Sequence, residues 1–420
     1  MTKNIWIFHH YATPPTMNGF TRPYDFGVKL KKMGYNITVF SASHLHFSNI
    51  NLITDKSLYV LNEETQIPFV FVRTPSSSGN GIGRVNNMAA YYKNLFKVTK
   101  SFARNIQKPD LIIGSSPHPL SMVAAIKIAR KFGIPCINEV RDFWPEVIFL
   151  GGKLKEKSLF GKLLVKGEHW IYKKSDALIF LKEGDYTYIS DRKWDSFQGG
   201  DIDLDKCFYI NNGVDIKTFD ELKQNGLNDV DLKSSKFNVV YTGAIRPINN
   251  IDNLLDAAKI IQRQTNSIQF LIYGDGNQVN RLKKRILDEK INNVKMKGYV
   301  EKKYIPYILS ESSINVLTYS QNKYNWSRGN SSNKLFEYMA SGKPIISTVK
   351  MGYSPIEKYN CGISLENGLP EELAEAVMKI YSMSDEKYNK INDNARKGAL
   401  DFDYKKLAEK LYTVLESQLQ

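Results

Sequence analysis

Short apolar runs alternate with helical patterns along the whole chain, and this alternation restricts the possible folds more than any other feature. Strands that are almost wholly apolar and separated by helices are typical of parallel sheets covered on both faces. The pattern therefore predicts the α/β class, with two doubly wound domains in tandem. The predicted strands are Ile5–Phe8, Ile37–Ser41, Phe69–Arg73, Leu111–Gly114, Cys136–Val140 and Ala177–Leu181, then Asn238–Thr242, Phe270–Tyr273, Val294–Lys297, Ile314–Leu317, Ile345–Thr348 and Ile363–Leu365. The predicted helices include Arg22–Met33, Asn87–Asn105, Leu120–Phe132 and Tyr404–Leu419.

The domain boundary is expected within residues 198–236, which are rich in Gly, Asp, Asn and Ser. We predict a first domain over residues 1–200, a linker region over 201–236 and a second domain over 237–403. The last helix, over 404–420, is expected to cross back onto the first domain. Because ligands of open parallel sheets lie beyond the carboxyl ends of the strands, two such domains facing each other would form a cleft lined by functional loops.

Composition excludes several classes of protein. The chain has 42% hydrophobic and 24% charged residues, as expected of a globular protein. It contains no apolar run of the ~18 residues that a spanning helix needs, and its N-terminus is typical of a strand rather than a signal peptide. The three cysteines are scattered and form no metal-binding or disulfide pattern, which predicts a reducing cytoplasm and no metal site.

Positive charge is concentrated in the first half of the chain. Residues 1–200 carry 27 Lys and Arg against 15 Asp and Glu, whereas the second half is nearly balanced. No nucleic-acid recognition motif accompanies this charge, so an anionic membrane surface or an anionic substrate is favoured over nucleic acid. The basic, amphipathic segment 153–166 suits a membrane surface, and a solvated helix on the domain surface explains it equally well.

A nucleotide-diphosphate site is predicted at Ser331–Ile346. Serines and an asparagine precede a helix, whose free N–H groups and partial positive charge favour phosphate. Lys334 and Glu337 share one helix face, so the lysine can meet a phosphate while the carboxylate accepts two ribose hydroxyls. An ordinary capped helix before a strand is the alternative. The predicted donor-site residues here are Ser332, Asn333, Lys334, Leu335 and Glu337.

Glycine loops follow the first two strands of the second domain. Gly243 and Arg246 belong to the first of them, and Gly274-Asp275-Gly276 forms the second. Glycine at a strand end allows a sharp turn beside a ligand, although the second loop could be a simple turn. The chain has neither a G-x-G-x-x-G motif after its first strand nor a phosphate-loop lysine motif, which disfavours a dehydrogenase or a nucleotide triphosphatase.

Three strand-end loops of the first domain carry further candidates. Asn18-Gly19 precedes a helix and could approach an anion or simply cap that helix. His118 lies between two prolines, and both a ligand-binding and a structural role stay open. Arg141 and Asp142 belong to the charged segment 139–146, where an arginine–carboxylate pair could explain part of the pattern.

Taken together, these motifs resemble the retaining glycosyltransferases of family 4, which have the GT-B fold. The resemblance extends over nearly the whole chain and is most specific in Ser331–Ile346, Asn211–Asp215 and the Gly243 and Gly274 loops. Residues 11–22 and 139–146 are similar to the subgroup that builds capsule or O-antigen repeat units, including N-acetylfucosamine-type transferases.

The resemblance implies a role for each candidate. The Asn18-Gly19 loop and Lys334 would meet the donor diphosphate, Glu337 the ribose, and Gly274–Gly276 the nucleobase. Asp142, Arg141 and His118 would be the catalytic residues, with Asp142 orienting the acceptor hydroxyl or stabilising positive charge on the sugar. No side chain needs to act as a nucleophile.

The chain departs from the family pattern at three positions. Relatives carry Glu-x7-Glu, but the position eight residues before Glu337 is Gly329. Ala244 and Asn249 stand where relatives have an arginine and a lysine. Arg246 is our hypothesis for the missing positive charge.

The resemblance further implies transfer of a sugar, an N-acetylated hexosamine carried by UDP, to a lipid-linked saccharide acceptor. No metal and no cofactor beyond the nucleotide-sugar co-substrate would be required. The protein would be cytoplasmic and peripheral at the inner face of the plasma membrane. Two alternatives stay open: a nucleotide-sugar epimerase of GT-B fold, and a non-catalytic nucleotide-sugar-binding partner in polysaccharide assembly.

Overall fold

The computed structural model describes residues 2–17, 19–46, 48–77, 79, 81–152, 154–321 and 324–419. The chain divides into two compact units. Residues 1–211 and 407–420 form the first, and residues 212–406 form the second. Each unit contains one sheet of predominantly parallel strands flanked by helices, so the predicted α/β class with two doubly wound domains is confirmed.

The first unit is built on an eight-stranded sheet in the order β3-β4-β2-β1-β5-β6-β7-β8. All neighbouring strands are parallel except β3 and β4. The strands are β1 (Asn4–His9), β2 (Asn36–Ala42), β3 (Tyr59–Asn62), β4 (Phe69–Val72), β5 (Leu111–Ser115), β6 (Cys136–Val140), β7 (Ala177–Phe180) and β8 (Cys207–Tyr209). The helices are α1 (Arg22–Lys32), α2 (Ile82–Asn105), α3 (Pro119–Phe132), α4 (Trp144–Leu150), α5 (Leu159–Lys174) and α6 (Thr187–Asp191).

Aromatic side chains form the centre of the first unit. The ring centroids of Trp6 and Phe40 are 4.9 Å apart, and those of Phe40 and Phe102 are 5.4 Å apart with an edge-to-face geometry. All three side chains are buried. Edge-to-face pairs of this kind add about 0.5–1.5 kcal/mol to the burial of the rings, so helix α2 is anchored firmly on strands β1 and β2.

Strand register aligns three polar side chains at the carboxyl edge of this sheet. His9 of β1 pairs with Ser115 of β5, and Ser115 pairs in turn with Glu139 of β6. Because the strands are parallel, the segments that follow them all leave from the same edge. The loops that carry His118, Arg141 and Asp142 are therefore neighbours.

The second unit is built on a six-stranded parallel sheet in the order β11-β10-β9-β12-β13-β14. The strands are β9 (Phe237–Thr242), β10 (Ile268–Tyr273), β11 (Val294–Gly298), β12 (Ile314–Leu317), β13 (Ile345–Ser347) and β14 (Gly362–Ser364). The helices are α7 (Ile216–Leu222), α8 (Ile251–Gln262), α9 (Val279–Asp288), α10 (Ile305–Ser310), α11 (Asn333–Ala340), α12 (Pro355–Lys358), α13 (Pro370–Tyr381) and α14 (Asp385–Asp401). Helix α15 (Tyr404–Leu419) follows, and its residues from Leu407 onward group with the first unit.

Two strands were missed by the sequence analysis. Strand β3 is an antiparallel edge strand whose residues are half-buried or exposed, so it lacks the apolar run that marks the other strands. Strand β8 lies inside the segment predicted as a linker and pairs with β7 as the last strand of the first sheet. Helix α7, from the same segment, belongs to the second unit. Short strands with half-buried side chains give no clear periodicity, which explains both omissions.

Two glycine loops pack against each other beyond strands β9 and β10. The Gly243 amide donates to the Tyr273 carbonyl at 3.0 Å, and the Ile245 amide donates to the Asp275 carbonyl at 2.8 Å. Gly274 has a φ of 144°, and a Cβ at that position would lie 1.8 Å from the Gly243 carbonyl oxygen. Only glycine allows this approach.

No helix among the described residues is long and apolar enough to cross a membrane.

We predict that Gly274→Ala destabilises the second unit by at least about 2 kcal/mol, because the added methyl group forces the two glycine loops apart. Urea-induced unfolding of the full chain, followed by circular dichroism, measures the effect. Gly226→Ala is the matched control, since a Cβ at Gly226 meets no atom within 4 Å. Equal unfolding midpoints for the two variants would contradict the close packing of the loops.

Candidate functional site

Lys334, in the first turn of α11, lies between two aromatic rings. Its Nζ is 4.8 Å from the ring centroid of Tyr241 and 4.7 Å from that of Tyr319, and it donates to the Tyr241 hydroxyl at 3.3 Å. A Cβ at Gly243 would lie 3.0 Å from Cδ and 3.3 Å from Nζ of the lysine. Lys334 forms no ion pair with a described carboxylate, so aromatic faces and one hydroxyl hold this cation at the start of the helix.

Helix α11 is fixed to the end of β9 by a buried tyrosine. The Tyr338 hydroxyl accepts from the Thr242 amide at 3.1 Å and donates to the Thr242 carbonyl at 3.2 Å. The loop before the helix is held by Asn212, whose side chain donates to the Ser331 carbonyl at 2.6 Å. These contacts place the first turn of α11 directly beside the Gly243 loop.

The N-terminus of α11 has capacity to bind an anion. Ser332 is the N-cap residue, but its hydroxyl makes no capping bond to the helix. The Ser332 Oγ is buried and has no hydrogen-bond partner among the described residues. Asn333 is exposed and Leu335 is buried beneath the helix. The first N–H groups of the helix and the neighbouring Lys334 together favour a negatively charged group.

Glu337 lies one turn after Lys334 on the half-buried face of α11. Burial raises the pKa of its carboxyl, although Lys302 and Lys334 oppose that effect. No hydrogen bond joins its carboxylate to another described residue. A partly desolvated carboxylate without donors is unfavourable by itself, and two hydroxyl donors from a ligand would relieve this cost.

Arg246 and Asp275 are exposed at the tips of the two glycine loops. The Asp275 carbonyl accepts from Ile245, the residue before Arg246, so the loop tips are adjacent. Asn249, which stands where relatives have a lysine, is buried. Gly276 completes the second loop. The predicted donor-site residues of the second unit therefore lie together at the carboxyl ends of β9 and β10 and the start of α11.

In the first unit, His118 ends a chain of hydrogen bonds that fixes its tautomer. Asn87 donates from Nδ2 to the Pro75 carbonyl at 2.6 Å, which turns its Oδ1 toward His10 Nε2, also at 2.6 Å. His10 Nε2 must therefore carry the proton, and its Nδ1 accepts from His118 Nε2 at 2.8 Å.

Both histidines are neutral because they are buried. Burial lowers the pKa of His118 to about 3 and that of His10 well below its usual value. A neutral His118 protonated on Nε2 has a free electron pair on Nδ1, and this buried atom has no partner among the described residues. His118 can therefore accept a hydrogen bond from a ligand hydroxyl.

Arg141 is held by residues from two other strand ends. Its Nη1 lies 2.6 Å from His9 Nε2, and its amide donates to the Ser116 hydroxyl at 2.8 Å. Its guanidinium carbon is 5.1 Å from the ring centroid of Phe20, in the loop after β1. Asp142 follows as a half-buried residue. The predicted catalytic residues of the first unit thus lie after β5 and β6, in contact with His9 and His10 at the end of β1.

The charged segment after β6 is paired differently from what its sequence suggests. Glu139 binds Arg22 of α1, whose Nε and Nη2 both lie 2.8 Å from its Oε2. Ser115 donates to the other carboxylate oxygen at 2.7 Å. Arg22 also donates to the carbonyls of Ile210 and Asn211, after strand β8. This arginine, which sequence reasoning did not select, therefore joins α1, β6 and the end of β8.

Two candidates of the first unit remain, Gly19 and Asn18. Gly19 is exposed in a loop that folds back through the Thr13 amide and the Phe20 carbonyl. Asn18 lies outside the described residues. Sequence reasoning missed Tyr241, Tyr319, His10 and Asn87. The first three lie at or just after the carboxyl ends of strands β9, β12 and β1, a position that could have drawn attention to them.

Within the described part of the chain, no group of three or more His, Cys, Asp or Glu side chains is arranged to hold a metal ion. Metal-independent catalysis stays a prediction.

Comparison with known proteins places this geometry in a structural class. The chain aligns over 99% of its length with sucrose-phosphate synthase from Thermosynechococcus elongatus, covering 98% of that chain, at a TM-score of 0.71 and 14% identity. It aligns equally with Anabaena Alr3699/HepE in complex with UDP, covering 100% of that chain, at a TM-score of 0.69 and 16% identity. The protein has the GT-B fold, as predicted.

Sequence comparison finds similarity to a family model within the second unit. Residues 224–398 match the family model described as Glycosyl transferases group 1. A curated relative, poly(ribitol-phosphate) alpha-N-acetylglucosaminyltransferase of Staphylococcus aureus (strain COL), is 23% identical over 357 residues, which are 82% of this chain. The match spans 64% of that relative, less than two thirds of its length.

We predict that Glu139→Gln destabilises the first unit by about 3 kcal/mol at neutral pH, because it leaves the buried Arg22 guanidinium without its carboxylate. Burial alone would raise the pKa of Glu139, but Arg22 and Arg141 outweigh it and lower that pKa. The carboxylate therefore stabilises the fold above the unfolded-state pKa, and this contribution is lost as pH falls through the lower folded-state pKa.

Urea unfolding of wild type and variant across pH 3–7 measures this dependence. The difference between them should be largest at pH 6–7 and should shrink below about pH 4, near the ordinary pKa of glutamate. Glu63→Gln, at an exposed glutamate of the same unit, is the control. A difference that does not change with pH would show that the ionised pair is not its source.

Proposed function

We propose that the protein is a retaining, metal-independent glycosyltransferase. It would move an N-acetylated hexosamine from a UDP-linked donor to a lipid-linked saccharide acceptor in bacterial surface-polysaccharide synthesis, as a member of the capsule and O-antigen subgroup of family 4. The supporting observation is the position of Lys334, clamped between Tyr241 and Tyr319 beside Gly243 at the start of α11. This position lies within the region that matches group 1 glycosyltransferases.

The second unit would bind the donor. Negative charge grows on the diphosphate as the bond to the sugar breaks, and a fixed cation stabilises it without reorganisation. Lys334 and the first N–H groups of α11 would supply this fixed positive charge. Gly243, which lies beside Lys334, would leave room for a phosphate to approach them. Arg246, at the exposed loop tip, would add a second positive charge.

Glu337 would bind the ribose. Its carboxylate has no donor among the described residues, and burial raises its pKa. Two vicinal hydroxyls would provide the donors that keep it ionised. The loop Gly274–Gly276 would border the nucleobase. The Anabaena structure named above contains UDP, which supports a uridine nucleotide as the donor.

The first unit would bind the acceptor and the sugar. His118 Nδ1 can accept a hydrogen bond from a sugar hydroxyl, since the chain from Asn87 through His10 leaves its electron pair free. Asp142 would orient the acceptor hydroxyl or stabilise the oxocarbenium-like sugar, and Arg141 would bind phosphate oxygens. The departing phosphate would take the proton of the attacking hydroxyl, which arrives on the same face and retains the configuration.

An anionic acceptor at the membrane suits the positive charge of the first half of the chain. We propose a peripheral position at the cytoplasmic face, with the basic first unit toward anionic lipid. The relative's name specifies N-acetylglucosamine as the transferred group and a phosphate polymer as the acceptor. This name supports an N-acetylhexosamine donor. The phosphate polymer that it specifies as the acceptor is anionic, as a lipid diphosphate would be.

We predict that UDP or a UDP-N-acetylhexosamine, at a hundredfold excess over its Kd and with EDTA present, raises the unfolding temperature by about 5 °C. Differential scanning fluorimetry against UDP, GDP and ADP measures this shift. The absence of a shift with any of them at millimolar concentration would overturn the donor site. Conversion of the donor to an isomer without an acceptor would instead identify an epimerase, and binding without turnover would identify a non-catalytic partner.

We predict that Lys334→Ala and Glu337→Ala each lower kcat/KM for the donor at least tenfold, equivalent to about 1.4 kcal/mol of transition-state stabilisation. Lys334 acts on the growing diphosphate charge, so its loss should reduce kcat, whereas loss of Glu337 should mainly raise KM. Lys379→Ala and Glu375→Ala, at exposed positions of α13 in the same unit, are matched controls. Near-wild-type kinetics for both site variants would contradict the assignment.

A further inference from the structure

An apolar pocket of about 360 Å³ lies within the first unit, between helices α3, α4 and α5. Its volume is within the roughly 300–1,000 Å³ usual for small-molecule sites. None of the contacts described above uses it. Its walls are formed by Pro119, Leu120, Met122, Val123, Lys127, Asp142, Trp144, Pro145, Leu163, Leu164, Gly167, Glu168, Trp170, Ile171 and Tyr172.

The few polar groups at the pocket are mostly satisfied by one another. Glu168 accepts hydrogen bonds from the hydroxyls of Tyr172 at 2.9 Å and Tyr188 at 2.6 Å. Burial raises the pKa of Glu168 to about 7, as expected for a carboxyl in apolar surroundings. The pocket therefore presents hydrocarbon and indole surface to whatever enters it.

Helix α5 also carries exposed apolar side chains next to the pocket. Leu159 is 89% exposed, Leu163 is 61% exposed and Phe160 is 59% exposed. On α4, Val147 and Leu150 are exposed as well. Exposed apolar residues that occur singly need no explanation, but five on two adjoining helices form a patch of the kind that binds a ligand, a membrane or another protein.

Positive charge accompanies these apolar side chains. Lys162 and Lys166 are exposed one turn apart on α5, and Lys127 of α3 lies on the pocket wall. Of these three lysines only Lys127 is a wall residue, and Lys162 and Lys166 lie on the same helix as the wall residues Leu163 and Gly167. An apolar pocket with positive charge nearby is complementary to a molecule with a long hydrocarbon chain and an anionic head group.

The pocket reaches the predicted catalytic region of the same unit. Asp142, which directly follows Arg141 at the end of β6, is also a wall residue. Pro119, which follows His118, is another. A lipid-linked saccharide with its chain in the pocket would therefore extend its saccharide, beyond the phosphate, toward these residues.

We propose that this pocket binds the hydrocarbon chain of a prenyl phosphate, with the phosphate near Lys127, Lys162 and Lys166. This inference rests on the proposed function, because it assigns a place to the lipid of the lipid-linked acceptor. A concave apolar pocket of this volume suits one chain, whereas a protein partner or a second copy of this chain would need a broad, flat face.

Gly167 offers a direct test. It lines the pocket within α5, and a Cβ at this position meets no atom within 4 Å. Gly167→Phe would place a ring over the pocket without displacing the backbone, and replacing glycine inside a helix favours folding. Gly167→Ala is the matched control, since one methyl group leaves the pocket open.

The probe is farnesyl monophosphate, compared with farnesol and inorganic phosphate. Binding to the full chain changes the fluorescence of Trp144 and Trp170, which line the pocket. We expect wild type and Gly167→Ala to bind farnesyl monophosphate, and Gly167→Phe to bind it at least tenfold more weakly. Inorganic phosphate should leave the fluorescence unchanged, and farnesol should bind more weakly than its phosphate. If Gly167→Phe does not fold, Leu163→Glu at the exposed pocket wall should weaken binding similarly, because a carboxylate disfavours both the hydrocarbon chain and the phosphate.

Three results would overturn the inference. The first is absence of binding to the wild type, and the second is equal affinity of Gly167→Phe and Gly167→Ala. The third is a change in the oligomeric state of Gly167→Phe, measured by size-exclusion chromatography. That result would identify a second copy of the chain as the occupant of the pocket. The stabilisation by UDP is measured on the same proteins. Loss of prenyl phosphate binding with intact UDP binding separates failure of the pocket from failure of the donor site.

Discussion

Parallel pairing of the strands determines where every candidate residue of this chain lies. In a parallel sheet all carboxyl ends meet at one edge, so loops distant in sequence become neighbours. The register of His9, Ser115 and Glu139 across three strands shows this in the first unit. In the second unit, Thr242 pairs with Tyr273 and Tyr273 with Gly298, which brings the two glycine loops into contact.

Two partly desolvated cations, Arg22 and Lys334, differ in how far their charge is neutralised within the protein. Arg22 is neutralised by Glu139 and by backbone carbonyls, so its hydrogen-bonding capacity is used within the protein. Lys334 has two aromatic faces and one hydroxyl, but no ion pair with a described carboxylate. Aromatic rings orient a cation without cancelling its charge. This difference is the reason we assign the anionic ligand to Lys334 rather than to Arg22.

Much of the fold could be predicted from the sequence because buried parallel strands are marked by their own composition. All twelve predicted strands lie within two residues of observed ones at each end. The half-buried edge strand β3 and the three-residue β8 were missed, since their stability comes from pairing with β4 and β7 rather than from an apolar pattern. Helix α2 begins at Ile82, five residues before its predicted start, because its first turn is largely exposed and contains a glycine, so it shows no buried apolar face.

The candidate site was predictable only where its signal is local. The spacing of Lys334 and Glu337 on one helix can be read from sequence, and so can glycines at strand ends. The partners of these residues cannot, because they are set by contacts between distant segments: Tyr241 reaches Lys334 from 93 residues earlier, and Arg22 reaches Glu139 across 117 residues. Such pairs leave no periodic trace.

The protonation of His118 also depends on contacts between distant segments, through the chain of hydrogen bonds that ends at this residue. A histidine alone has two possible neutral tautomers, and sequence cannot choose between them. Here the Pro75 carbonyl orients Asn87, Asn87 orients His10, and His10 orients His118. The tautomer of His118 is thus determined at the Pro75 carbonyl, three steps along this chain of contacts from His118. A substitution at Asn87 would therefore remove the contact that selects the protonated nitrogen of His10 and, through it, that of His118.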